Sequence, residues 1–226
     1  MAIDPADGLR QRRLVFWHEI RSPAATLQTL LEVLCDGSAG ELPEAARDLV
    51  ERARRQAGRV TEMMACAHDV ERLQAGRLTL ADVPIDLQGA LKVAVSRVGE
   101  AAKAKQVKLE LREGAARETH ADPVQTDRCL SALARAAVEC AQRGSSVVAE
   151  AVSADGGGTS VVLRVETITS KDKLDDALGP ACSLGLRGGT GIGLHEARLL
   201  TEAMGGRASV EVEENRARLE LWLPAR

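Results

Sequence analysis

Between residues 42 and 75, Leu49, Ala53, Gln56, Val60, Met63, Ala67 and Val70 recur at alternating steps of four and three. Between residues 7 and 37, Trp17, Ile20, Ala24, Leu27, Leu31 and Leu34 do nearly the same. A period of 3.5 residues keeps one helical stripe against a neighbour over many turns. Asp36-Gly37-Ser38-Ala39-Gly40, followed by Pro43, is a short turn-rich break between the two runs. The N-terminal part therefore reads as a helical hairpin. Two helices of this length cannot bury their apolar stripes alone. Pairing with a second copy is expected, giving a homodimer built on a four-helix bundle.

After residue 80 the period changes. Short alternating runs appear at Val107–Leu111, Val147–Val152, Val161–Val165, Ala208–Val212 and Arg218–Leu223. Helical patterns lie between them, near 87–104, 124–142 and 192–204. Asp155-Gly156-Gly157-Gly158 is a hairpin turn signal. Such a series predicts an α+β sandwich, a mixed sheet with helices on one face. The expected division is residues 1–80 and 81–226.

Several classes of function are disfavoured. Net charge is -3 with no basic stripe, so a nucleic-acid partner is not expected. No apolar run approaches the ~18 residues that span a bilayer, and the start MAIDPADGLRQRR lacks the apolar core of a signal peptide. Five cysteines are scattered singly, which reads as a reduced, cytoplasmic chain. Cys66 and His68 are neighbours, but no second pair with zinc spacing follows, so no metal site is expected there. Phe16, Trp17 and Trp222 are the only aromatic residues, so the core must be aliphatic.

The stretch Phe16-Trp17-His18-Glu19-Ile20-Arg21-Ser22-Pro23 carries the chemistry. His18 is about 100° round from the seam residue Trp17, at the edge of the stripe. Arg21 and Ser22 share its face at i+3 and i+4. Pro23 cannot donate an N–H to the Glu19 carbonyl and its ring crowds that carbonyl, so a bend is expected beside His18. The Glu19 carboxylate can hold one ring N–H and raise the nucleophilicity of the other nitrogen. A single helical histidine is also commonly just a surface or packing residue, and spacing alone leaves both readings open.

These pieces, in order, resemble a two-component sensor histidine kinase: a dimerisation and phosphotransfer hairpin followed by a GHKL-type ATPase domain. HEIRSP resembles the H-box. RVTEMMACAHDVERLQAGRLTL resembles the second hairpin helix and its exit. VPIDL, HADPVQTDRCLSAL and GGTGIGLHEARLLTEAMGGRASVEVEENRARLELWLP resemble successive parts of the ATPase domain. The resemblance implies that His18 accepts a phosphoryl group and passes it to an aspartate on a response-regulator receiver domain. It implies that Glu19 assists as base, and that Ser22 stands where the family positions water for dephosphorylation. The run Gly189-Thr190-Gly191-Ile192-Gly193 matches a glycine-rich turn whose N–H groups can cradle phosphate.

The nucleotide half departs from the family pattern. Where the family reads Asn-Leu-Leu-x-Asn-Ala, this chain reads Ala132-Leu133-Ala134-Arg135-Ala136-Ala137. Alanine has no oxygen to offer Mg²⁺, a cation that takes oxygen ligands. The following basic residue is replaced by Glu139. The family's Asp-x-Gly-x-Gly, whose acid takes the adenine amino group, matches Glu166-Thr167-Ile168-Thr169-Ser170, with an acid and no glycine. The region LDDALGPACSLGLRGG lacks the family's phenylalanines. ATP and Mg²⁺ are thus implied by the resemblance and undercut by these departures. The leading expectation is a phosphotransferase or regulator phosphatase acting through His18 with weak or no ATP binding. A divergent ATP-dependent kinase and a non-catalytic pseudokinase remain the alternatives.

Overall fold

The computed structural model describes residues 5–114, 119–154, 157–167 and 191–225, together with 169, 172, 174 and 178; the side chains of 5–18, 191 and 192 fall outside that description. The chain divides into two compact units, Met1–Glu71 and Arg72–Arg226.

The first unit is the helical hairpin. Helix α1 runs Pro5–Cys35 with Pro23 inside it, and α2 runs Glu44–Gln74. Cys35 Sγ meets Glu51 Oε2 at 3.3 Å near the closed end. Ala24, Leu27 and Leu31 of α1 and Ala53, Gln56, Ala57 and Val60 of α2 line a groove of about 330 Å³. Within one copy Leu27 and Val60 of this groove are 51 and 48% exposed, and Leu30 and Leu49 elsewhere on the two helices are 57 and 66% exposed.

The second unit is the expected α+β sandwich. Helices α3 (Leu87–Arg97), α4 (Gly99–Lys105), α5 (Pro123–Cys140) and α6 (Gly191–Ala203) accompany a five-stranded sheet. Its strands are β2 (Lys108–Arg112), β4 (Ser146–Ser153), β5 (Thr159–Glu166), β6 (Arg207–Glu213) and β7 (Arg216–Leu223), in the order β2-β4-β5-β7-β6. The β2–β4 pair is parallel and the other neighbours are antiparallel. Two short strands, β1 (Val83–Ile85) and β3 (Thr119–Ala121), form a separate antiparallel ladder. The single helix expected at 87–104 is two, because Val98 leaves helical geometry and caps α3.

The caps are written in the sequence. The Asp86 carboxylate accepts from Gly89 N at 2.9 Å, and that of Asp122 accepts from Gln125 N at 2.9 Å, with Pro123 opening α5. Asp122 also accepts from Ala81 N at 2.9 Å, which ties the segment before β1 to the start of α5.

The core is aliphatic, as the composition requires. Alternate residues of β5, Val161, Leu163 and Val165, are buried in it with Leu91 of α3, Leu130 and Leu133 of α5, and Leu194 and Leu200 of α6. Trp222 lies on the opposite face of the sheet, where its Nε1 donates to Gly157 O at 3.1 Å and the Arg207 guanidinium sits 5.0 Å from its ring centroid. The hairpin turn needs glycine at Gly158: φ is +88° and a Cβ there would come within 2.3 Å of Leu223 O.

Candidate functional site

The first cluster lies on α1. The helix is continuous through positions 18 to 23 despite Pro23. Glu19, Arg21, Ser22 and Pro23 are all exposed, while Ile20 and Ala24 are half-buried on the seam side. The backbone of His18 belongs to α1, one step before this exposed run. Pro23 removes one helical donor, and Thr26 Oγ1 donates back to Ser22 O at 3.0 Å; both features loosen a helix locally. A histidine, an adjacent carboxylate and a hydroxyl one turn on thus share a stretch of helix with an open face.

The second cluster surrounds α5. Ala132 is half-buried and Ala136 is fully buried. A Cβ added at Gly193 would meet Ala132 Cβ at 3.7 Å, so the first turn of α6 packs closely on α5 at this point. Gly191 opens α6, while Gly189 lies outside the described residues. Arg135 and Glu139 are half-buried. Lys105 Nζ donates to the Val138 and Glu139 carbonyls at the C-terminal end of α5, complementing the negative end of the helix.

Glu166 is the last residue of β5. Val161, Leu163 and Val165 face the helices, so the pleat turns Glu166 the other way, and it is exposed. The buried position falls to Thr167, which is 1% exposed. Its Oγ1 donates to Cys140 O at 2.7 Å and accepts from Thr169 N at 2.9 Å. Thr167 also bridges Ala141 across the end of α5. The buried hydroxyl just after β5 is thus committed to internal bonds.

Two features escaped the sequence reading. Arg128 of α5 and Glu196 of α6 form an ion pair between the helices, with side chains 28% and 5% exposed. His195, also buried, places Nδ1 3.1 Å from Leu178 O. The signal for the first was an acid between the leucines of the LHEARLL run, but its partner 68 residues away is a tertiary fact. Burial pushes the Cys129 thiol up to about 12 and the Cys140 thiol up to about 11, so neither is a ready nucleophile. Among the described residues no group of three or more His, Cys, Asp and Glu is placed to hold a metal ion. No described helix is long and apolar enough to cross a membrane.

No protein-family model matches the chain. It is 26% identical over 220 residues to the virulence sensor protein BvgS of Bordetella parapertussis, covering 91% of this chain and 18% of that protein. It is 28% identical over 208 residues to the sensor protein GacS of Pseudomonas syringae pv. syringae, covering 86% of this chain and 22% of that protein. The chain therefore spans about a fifth of the length of these curated relatives. In fold it is similar to full-length ShkA, solved in complex with AMPPNP: TM-score 0.73, 20% identity, 95% of this chain and 46% of that one. It is likewise similar to the Acinetobacter baumannii histidine kinase AdeS: TM-score 0.63, 15% identity, 92% of this chain and 98% of that one. Sequence relatives and fold agree, and the chain is a relative of the two-component sensor histidine kinases, a helical hairpin followed by a sandwich of their catalytic-domain type.

Proposed function

We propose that this chain is a histidine phosphotransfer protein that exchanges a phosphoryl group between His18 and the aspartate of a response-regulator receiver domain, with little or no use of ATP. In the forward step the neutral imidazole of His18 attacks phosphorus. The P–O bond to the regulator's carboxyl breaks and its electrons leave with the carboxylate. Glu19 takes the proton released by the ring. Run backwards, the same step loads the regulator. Ser22, one turn on, positions water when the regulator is dephosphorylated instead.

The observation that carries this reading is the α5 face. Position 132 is an alanine packed near Gly193, and position 136 is an alanine with no exposed surface. Neither offers an oxygen to a magnesium ion, and the buried Thr167 hydroxyl just after β5 is already bonded to Cys140 O and Thr169 N. These residues do not fit a magnesium nucleotide held in the family's manner. Titration of the purified chain with Mg-ATP and with Mg-ADP in a calorimeter is expected to give no binding heat at millimolar nucleotide. The Ala136→Asn variant is expected to behave the same way, because Thr167 and Ala132 remain. Micromolar binding would move the chain to the divergent-kinase reading, with the Gly191 helix start as its phosphate site.

A homodimer belongs to the same reading. The exposed Leu27, Leu30, Leu49 and Val60 lie on the hairpin's long helices, and a second hairpin is the surface with the matching apolar period. Light scattering of the chain is expected to give twice the chain mass. The Leu27→Glu and Leu30→Glu double variant is expected to give a monomer; a dimer of unchanged stability would place the interface elsewhere.

A further inference from the structure

The hairpin holds a second histidine–acid pair level with the first. Cys35 and Glu51 touch near the closed end. Seventeen residues back along α1 from Cys35 is His18, and seventeen residues on along α2 from Glu51 is His68. Both paths are continuous helix, so each descends about 25 Å and the two positions come to one level. Their faces correspond as well. Glu32 of α1 lies close enough to Arg54 of α2 to act on its charge, alongside the nearer Glu51. Position 18 is two heptads from Glu32, and position 68 is two heptads from Arg54. In helices packed with a 3.5-residue period, the pair of positions 32 and 54 recurs as 18 and 68.

His68 is not a bare surface imidazole. Its Nδ1 lies 3.4 Å from Asp69 Oδ1, and the two side chains are 22% and 13% exposed. With Nδ1–H donated to that carboxylate, Nε2 presents its lone pair. Met64, one turn earlier on the same face, is buried, and His68 itself is half-buried. An oriented, half-buried imidazole with a free basic nitrogen suits proton abstraction from water.

We propose that His68, oriented by Asp69, is the general base that hydrolyses the phosphoryl group carried at His18. This rests on His18 being the phosphoryl acceptor. Water attacks phosphorus and gives one proton to His68 Nε2. The P–N bond breaks, its electron pair returns to the His18 ring, which takes up a proton from solvent, and inorganic phosphate leaves. The carried signal then decays within the chain itself, without a regulator. Loading of His18 needs no water, so His68 does not take part in it.

The probe is phosphoramidate, which phosphorylates histidine directly with release of ammonia. Full-length chain is loaded, freed of reagent, and followed by 31P NMR and by mass mapping of the modified residue, beside His68→Gln and Asp69→Asn. His68→Gln is expected to load at the parent rate and to lengthen the half-life of the phosphohistidine at least about tenfold. Asp69→Asn keeps the imidazole and loses its orienting carboxylate, so a smaller lengthening is expected. A parent-like or shorter half-life in both variants overturns the proposal while leaving His18 as acceptor. Failure of the parent chain to load at residue 18 overturns the proposal together with the reading it rests on.

Discussion

The His18→Gln variant is expected to lose phosphoryl acceptance altogether, by at least about a thousandfold. Glutamine keeps a polar side chain of similar reach and is a good helix former, so α1 and its seam should survive. What it lacks is a nucleophilic ring nitrogen, since the amide lone pair is delocalised into the carbonyl. The loss should therefore appear as absent label from a phosphorylated receiver domain or from phosphoramidate, with unchanged helix content. Glu19→Gln should act differently. It keeps the nucleophile and removes only the carboxylate that assists it, a change worth about a hundredfold in rate. Equal losses in the two variants would mean that Glu19 supports the helix rather than the chemistry.

The second large effect concerns stability of the α5–α6 pair. Glu196 is 5% exposed and its carboxylate meets Arg128 from the neighbouring helix. Arg128→Ala leaves that carboxylate with its principal cation gone, at a cost of about 3–5 kcal/mol. For a unit of this size the melting temperature should fall by roughly 10 °C. The pair itself is a different matter, because burying it already consumed much of its attraction. Replacing both partners, Arg128→Met with Glu196→Leu, should leave stability within about 1–2 kcal/mol of the parent. Thermal unfolding followed by circular dichroism separates the cases. A loss under 1 kcal/mol in Arg128→Ala would show that solvent or the other neighbours of Glu196 already neutralise it.

The hairpin and the sandwich were both legible because each rests on a period. The 4-3 spacing of Leu49 to Val70 and the alternation of Val161, Leu163 and Val165 translate directly into a buried stripe and a buried face. Elements without a period were not legible. The strands Val83–Ile85 and Thr119–Ala121 have three residues each, too few to alternate visibly, and the break at Val98 is a backbone event within a stretch whose pattern reads as one helix. The site divides in the same way. His18, Glu19 and Ser22 lie on one helix, so sequence distance alone relates them. Glu166 was matched to an acidic family position by chemistry, acid to acid. The pleat assigns the inward position to Thr167, and only the sheet could decide that. Arg128 with Glu196, and position 18 with His68, join residues on different helices. Their pairing depends on helix register, which appears only once the elements are packed.

The most direct measurement incubates the purified chain in parallel with Mg-ATP labelled at the γ-phosphate and with labelled phosphoramidate, then counts acid-labile label on residue 18. The account predicts label from phosphoramidate, none from Mg-ATP, and none from either donor in His18→Gln. Robust labelling of His18 by Mg-ATP would contradict it, since an α5 face with alanine at 132 and 136 would then be supporting phosphoryl transfer from a nucleotide.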